Sequence, residues 1–202
     1  MLRLYSDRAA ERIIRRLDAP IRQIAGRYAL PVPVLQAVLY QEITQIDLMD
    51  VLADGLVAFN LLRLAKRPTL PRNRGLFDKC DSSTGYAQIF ARVGIEAINF
   101  ARDRHLTTAE ALGLPDRRLD PTIPRDLRLV WRRLRREELF NLELAALNLL
   151  SAAEEKTGRI DFKSYSPEEL QHILTRYNGT SPTISAYGKA AYAQYLRYAS
   201  MQ

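Results

Sequence analysis

Glu42 is the side chain best placed in the sequence to do chemistry. At helical spacing it shares a face with Leu35, Val38 and Leu39. Burial disfavours the charged form of a carboxyl group, so an apolar setting raises its pKa. A glycosidase needs such a group: a carboxylic acid that is still protonated near neutral pH and can give its proton to the leaving sugar oxygen. The same pattern also suits a solvated glutamate near a helix end, balanced by an arginine.

A second segment, Asp81-Ser82-Ser83-Thr84-Gly85-Tyr86-Ala87-Gln88-Ile89, is polar, contains glycine and runs toward a helix. Gly85-Tyr86-Ala87-Gln88-Ile89 resembles the Gly-Leu-Met-Gln motif of lytic transglycosylases and goose-type lysozymes. Val34–Glu42 is similar to the helix that ends in that family's catalytic glutamate. Phe140-Asn141-Leu142-Glu143-Leu144 resembles the start of its central helix, and Tyr177-Asn178-Gly179 its Tyr-Asn-Gly-type motif. The resemblance covers residues 33–190. It implies an all-α, single lysozyme-like domain with a central buried helix, over residues 31–202, preceded by an N-terminal helical extension over 1–30. It further implies a peptidoglycan muramidase that cuts the β-1,4 bond between N-acetylmuramic acid and N-acetylglucosamine, with Glu42 as general acid. Ser83, Gly85, Tyr86, Gln88, Tyr177 and Asn178 would then contact or position the sugar, and no cofactor is required.

Three features depart from the family pattern. Ile43 stands where a serine usually follows the glutamate, which removes a hydroxyl. The gap from Glu42 to Gly85 is long and holds an inserted helix, and Tyr86-Ala87 replaces Leu-Met. A second carboxylate is needed only if water completes the reaction in an inverting enzyme. Asp81 is the candidate base, with Asp78 beside it, although Asp before Ser-Ser is also a favoured turn or cap residue. Ser82, Ser83 and Thr84 suit either sugar hydroxyls or helix capping. A lytic transglycosylase, as the resemblance implies, needs no base, because the substrate's N-acetyl group assists.

The elements that must position these groups read as helices separated by Pro, Gly and Ser loops, with no alternating strand pattern of useful length. Ala10, Ile13, Ile14, Leu17, Ile21 and Ile24 form a helical stripe after Ser6, and Pro20 is placed to kink or divide that helix. Further helices are expected over the segment carrying Leu35–Glu42, over 47–65, over 87–102, and over a basic stretch, 127–136. Thr107-Thr108-Ala109-Glu110 reads as a capping box for a short helix ending before Gly113. Residues 139–155 are apolar nearly all round, as expected of a buried helix ended by Gly158. Ser166-Pro167-Glu168-Glu169 starts the next helix, and a last one runs from about Ile184 to Tyr198.

Arg125, Arg128, Arg132, Arg133, Arg135 and Arg136 surround Trp131. They read either as a solvated face or as a phosphate-binding helix. Tyr187, Tyr192, Tyr195 and Tyr198 read as packing. Cys80 is the only cysteine, which excludes an internal disulfide, and His105 and His172 lie too far apart in sequence for metal-ligand spacing.

The chain of 202 residues, with 30 Lys+Arg against 23 Asp+Glu, has room for one ordinary globular core and a surface that attracts polyanions. Peptidoglycan strands are the expected partner, with an immunity or inhibitor protein as a second partner if the chain is a toxin. No nucleic acid is expected, and no apolar run is long enough for a membrane span. The first residues carry too many charges for a signal peptide, so action in the bacterial wall or periplasm requires another delivery route. Two rival readings stand beside the muramidase: an Arg-rich helical nucleic-acid-binding protein, and a lysozyme-like domain that binds glycan or a partner without cutting.

Overall fold

Ser6 accepts a hydrogen bond from the backbone N–H of Ala9 and so caps the first helix, α1 (Asp7–Arg16). In the computed structural model, which describes residues 3–64, 66–67, 70 and 79–202, the chain is all-α. The described residues form nine helices and one two-stranded hairpin. They fall into two compact units, Tyr5–Gln45 with Ala145–Gln202, and Met1–Leu4 with Ile46–Leu144.

The first unit is built around α3 (Val32–Gln45). α1 and α2 (Asp18–Arg27) both pack on it, so residues 5–30 of the expected N-terminal extension belong to the compact unit that holds Glu42. The chain leaves α1 at Leu17. Pro20, in the first turn of α2, has no N–H to offer the carbonyl of Arg16, which is where the expected division falls. Ala10, Ile14, Leu17, Ile21 and Ile24 of the expected stripe are buried; Ile13 is half-buried. α3 does not carry one apolar stripe. Every residue from Pro33 to Thr44 is buried, as a helix enclosed on all sides must be. α8 (Pro167–Asn178) starts with a full capping box, Ser166 accepting from the Glu169 N–H while the Glu169 carboxylate accepts from the Ser166 N–H. α9 (Ala186–Ala199) packs on both α8 and α3.

The other unit contains α4 (Leu48–Leu64), a hairpin of β1 (Ser83–Thr84) and β2 (Ile89–Phe90), α5 (Ala91–Asp103) and α6 (Pro124–Arg136). The helix expected from Ala87 therefore begins four residues later, at Ala91, because Ile89 and Phe90 pair antiparallel with Thr84 and Ser83. The expected short helix before Gly113 is a single turn. Thr108 caps it by accepting from the Ala111 N–H, and Gly113 at φ +63° ends it. α7 (Glu138–Thr157) supplies residues to both units, and Phe140–Leu150 are all buried, as the apolar pattern requires. No described helix is long and apolar enough to cross a membrane.

Candidate functional site

Glu42 lies one turn before the end of α3 and is only 5% exposed. The Tyr187 hydroxyl, from the first turn of α9, donates to Glu42 Oε1 at 2.6 Å. Tyr177, near the end of α8, is buried close enough to feel the Glu42 charge. Burial first, and then the negative charge of Glu42, holds both phenols well above the usual tyrosine range. Both hydroxyls therefore keep their protons, and Tyr187 acts as a donor to the carboxylate.

The backbone brings these groups together at a close helix crossing. Ser185 caps α9 by accepting from the Gly188 N–H. Its own N–H and hydroxyl both donate to Thr175 Oγ1 on α8, at 3.1 and 3.3 Å. Gly188 faces Thr175 and the Gln171 carbonyl with no room for a Cβ. The first turn of α9 thus lies directly on α8, and α9 lies on α3. This arrangement turns Tyr187 toward Glu42. Asn148 of α7 donates to the Tyr177 carbonyl, which anchors the end of α8. Asn178, the neighbouring residue of the motif, is exposed. Ile43, where the family pattern has a hydroxyl, is fully buried.

Tyr187 is the functional candidate that the sequence did not reveal. Together with Tyr192, Tyr195 and Tyr198 it reads as packing, and Tyr198 is indeed buried. The Tyr198 hydroxyl donates to Glu11, whereas the Tyr187 hydroxyl donates to Glu42 itself, 145 residues away in the chain.

The expected sugar-contacting residues Ser83, Gly85, Tyr86 and Gln88 belong to the β1–β2 hairpin, in the other compact unit. Gly85 has φ +72°, and a Cβ there would strike the side chain of Asn141 and the carbonyl of Leu134. Asn141 holds the turn from α7: its Oδ1 accepts from the Ala87 N–H at 2.8 Å and its Nδ2 donates to the Thr84 carbonyl at 3.1 Å. Gln88, at φ +45°, donates through Nε2 to the Gly85 carbonyl and accepts from the Ser83 hydroxyl. These bonds fix a rigid turn, with Tyr86 half-exposed at its tip. Ser82 and Thr84 both donate to Asp54 of α4, and Trp131 of α6 donates to Ser82. Their hydroxyls thus anchor the hairpin; they are not on offer to a ligand.

Asp81 caps a helix. Its two carboxylate oxygens accept from the backbone N–H groups of Ala91 and Arg92, at 2.8 and 2.9 Å. This arrangement gives the expectation of a catalytic base no support. Asp78 lies outside the described residues. Burial pushes the Asp81 carboxyl up from 3.8 to about 6, against the downward pull of those two N–H groups. The folded state therefore holds a proton between pH 4 and 6 that the unfolded chain has already released. The stabilisation this proton brings is complete below about pH 4 and is lost as pH rises through about 6. Asp81→Asn, a neutral and competent cap, should remove that dependence and leave any glycan cleavage intact. Asp81→Ala should cost about 1 kcal/mol. Urea titrations at pH 4 and 7, with activity measured on the same samples, check both. A sharp loss of activity in a folded Asp81→Asn protein would restore Asp81 as a base.

No protein-family model, curated protein or solved structure matches this chain.

Proposed function

We propose that the protein is a peptidoglycan muramidase in which Glu42 is the general acid. The observation that carries this reading is the buried Glu42 carboxyl with the Tyr187 hydroxyl at 2.6 Å and Tyr177 beside it. The Tyr187 donor is placed to stabilise the carboxylate that remains once the proton has been given up. The cleaved bond is the β-1,4 link between N-acetylmuramic acid and N-acetylglucosamine. Glu42 protonates the bridging oxygen as the bond to the muramic acid C1 breaks. The C1 cation is then captured by water or, with help from the substrate's N-acetyl group, by the sugar's own hydroxyl. With Asp81 capping α5, the second route suits the known carboxylates better. The basic surface suits an anionic wall polymer.

The test is release of soluble saccharide from dye-labelled, purified peptidoglycan. Dependence on the Tyr187 hydroxyl adds a sharper readout. Tyr187→Phe removes a donor that favours the charged form of Glu42, so the carboxyl pKa rises. An acid catalyst loses activity as pH climbs through its pKa. The alkaline limb of the pH profile should therefore move to higher pH in Tyr187→Phe. A limb that stays in place would remove Tyr187 from the proposed machinery.

A further inference from the structure

Helix α6 carries a second feature, which does not depend on the glycan-cleavage reading. Arg125, Arg128, Arg132 and Arg136 are spaced three, four and four residues apart. That spacing puts them in one row along one helix face, about 4.5–6 Å apart along the axis at about 1.5 Å per residue. The row lines a groove of about 780 Å³ together with Gly113, Pro115 and Arg117. Arg125, Arg132 and Arg136 are exposed and Arg128 is half-buried.

The two carboxylates in the groove are already neutralised. Asp126 is fully buried and paired with Arg117, and it also accepts from the Asp120 N–H. Glu137 is held by Arg133 through both oxygens, at 2.7–3.0 Å. None of the four arginines in the row makes an ion pair among the described residues. Among the described residues the groove thus presents four guanidinium groups with no ion pair of their own, each a planar fork suited to phosphate oxygens. Arg125 also lies near enough to help hold Asp126 ionised.

The lining also narrows the kind of polyanion. Among the described residues no aromatic side chain lines the groove: Trp131 of α6 is buried, and the Phe140 ring is covered by the Arg133 guanidinium. A single-stranded nucleic-acid site relies on aromatic platforms for its bases. A membrane-surface site needs apolar side chains that project into the lipid, whereas here Leu129 is half-buried within a concave wall. A row of evenly spaced charges without stacking surfaces matches a flexible chain with one phosphate per backbone repeat. We propose that this groove binds a linear phosphodiester polymer without bases, of the polyol-phosphate class.

The experiment uses the full chain and fluorescently labelled poly(glycerol phosphate), with binding followed by anisotropy across a salt series. Each phosphate contact to a flexible strand contributes about 0.7 to the slope of log affinity against log salt, so four contacts give about 3. Arg128→Gln/Arg132→Gln should weaken binding roughly tenfold or more and lower the slope by about 1.4. Arg125→Gln/Arg136→Gln, at the ends of the row, should act in the same direction and serves if the first pair disturbs folding. Arg8→Gln/Arg12→Gln removes the same charge from exposed positions on α1 and should leave binding unchanged. The proposal is overturned if the polymer does not bind at low salt, or if all three double variants bind alike. It is equally overturned if a single-stranded oligonucleotide of equal charge, or a vesicle of anionic lipid, binds more tightly than the polymer.

Discussion

Glu42→Gln should give a folded protein that no longer opens glycan strands. Glutamine has nearly the same shape, and its Oε1 can still accept the Tyr187 hydroxyl, so the contact between α9 and α3 survives. It has no proton of suitable acidity to give. General acid catalysis contributes about 10²–10⁴-fold, and the loss of saccharide release should fall in that range. Circular dichroism and the thermal midpoint should stay close to those of the wild type. A folded variant that clears peptidoglycan within a few-fold of the wild-type rate would remove Glu42 from the chemistry.

Gly188→Ala should destabilise the fold strongly at the crossing that positions Tyr187. The new Cβ would sit inside contact distance of Thr175 Oγ1 and 2.7 Å from the Gln171 carbonyl oxygen. Part of that obstacle is backbone, which cannot swing aside, so α9 must lift from α8. The bonds from Ser185 to Thr175 then lengthen, and Tyr187 moves away from Glu42. Overpacking of this kind costs about 1–3 kcal/mol and sometimes more; with the strained hydrogen bonds added, the upper end of that range is expected. Urea denaturation should show it, and activity should fall with it. Gly179→Ala is the control. Gly179 is in extended backbone and has nothing within 4 Å of an added Cβ, so its midpoint should barely move. Equal midpoints for the two variants would mean that the α8–α9 crossing is looser than described.

The parts of this fold that were legible in the sequence are those fixed by local chemistry. Ser6, Ser166 with Glu169, and Gly158 mark helix ends through bonds or backbone angles within a few residues, and such signals survive whatever packs around them. The all-round apolar pattern of 139–155 likewise announced a buried helix. The β1–β2 hairpin was not legible. Its strands have two residues each, too few for alternation to show, and its turn is held by Asn141, more than fifty residues later. The candidate site divides in the same way. Glu42 stands out as a carboxyl among apolar neighbours, and Tyr177 through a local motif. Tyr187 is identified by a partner that only the fold supplies. Asp81 is ambiguous in the sequence because a carboxylate before a turn has one signature for both roles, capping and catalysis. In the fold its two oxygens accept from the N–H groups of Ala91 and Arg92, the bonds of a cap.

The most direct test of the central claim is mass spectrometry of the fragments that the wild-type protein releases from purified peptidoglycan. The account predicts disaccharide-peptide fragments cut on the reducing side of N-acetylmuramic acid. Anhydro ends are expected if the sugar's own hydroxyl captures the C1 cation, and reducing ends if water does. In either case the fragments should be absent when Glu42→Gln is used. Intact strands after prolonged incubation with the folded wild-type protein, or fragments cut at peptide bonds or on the reducing side of N-acetylglucosamine, would contradict the claim that this chain is a muramidase.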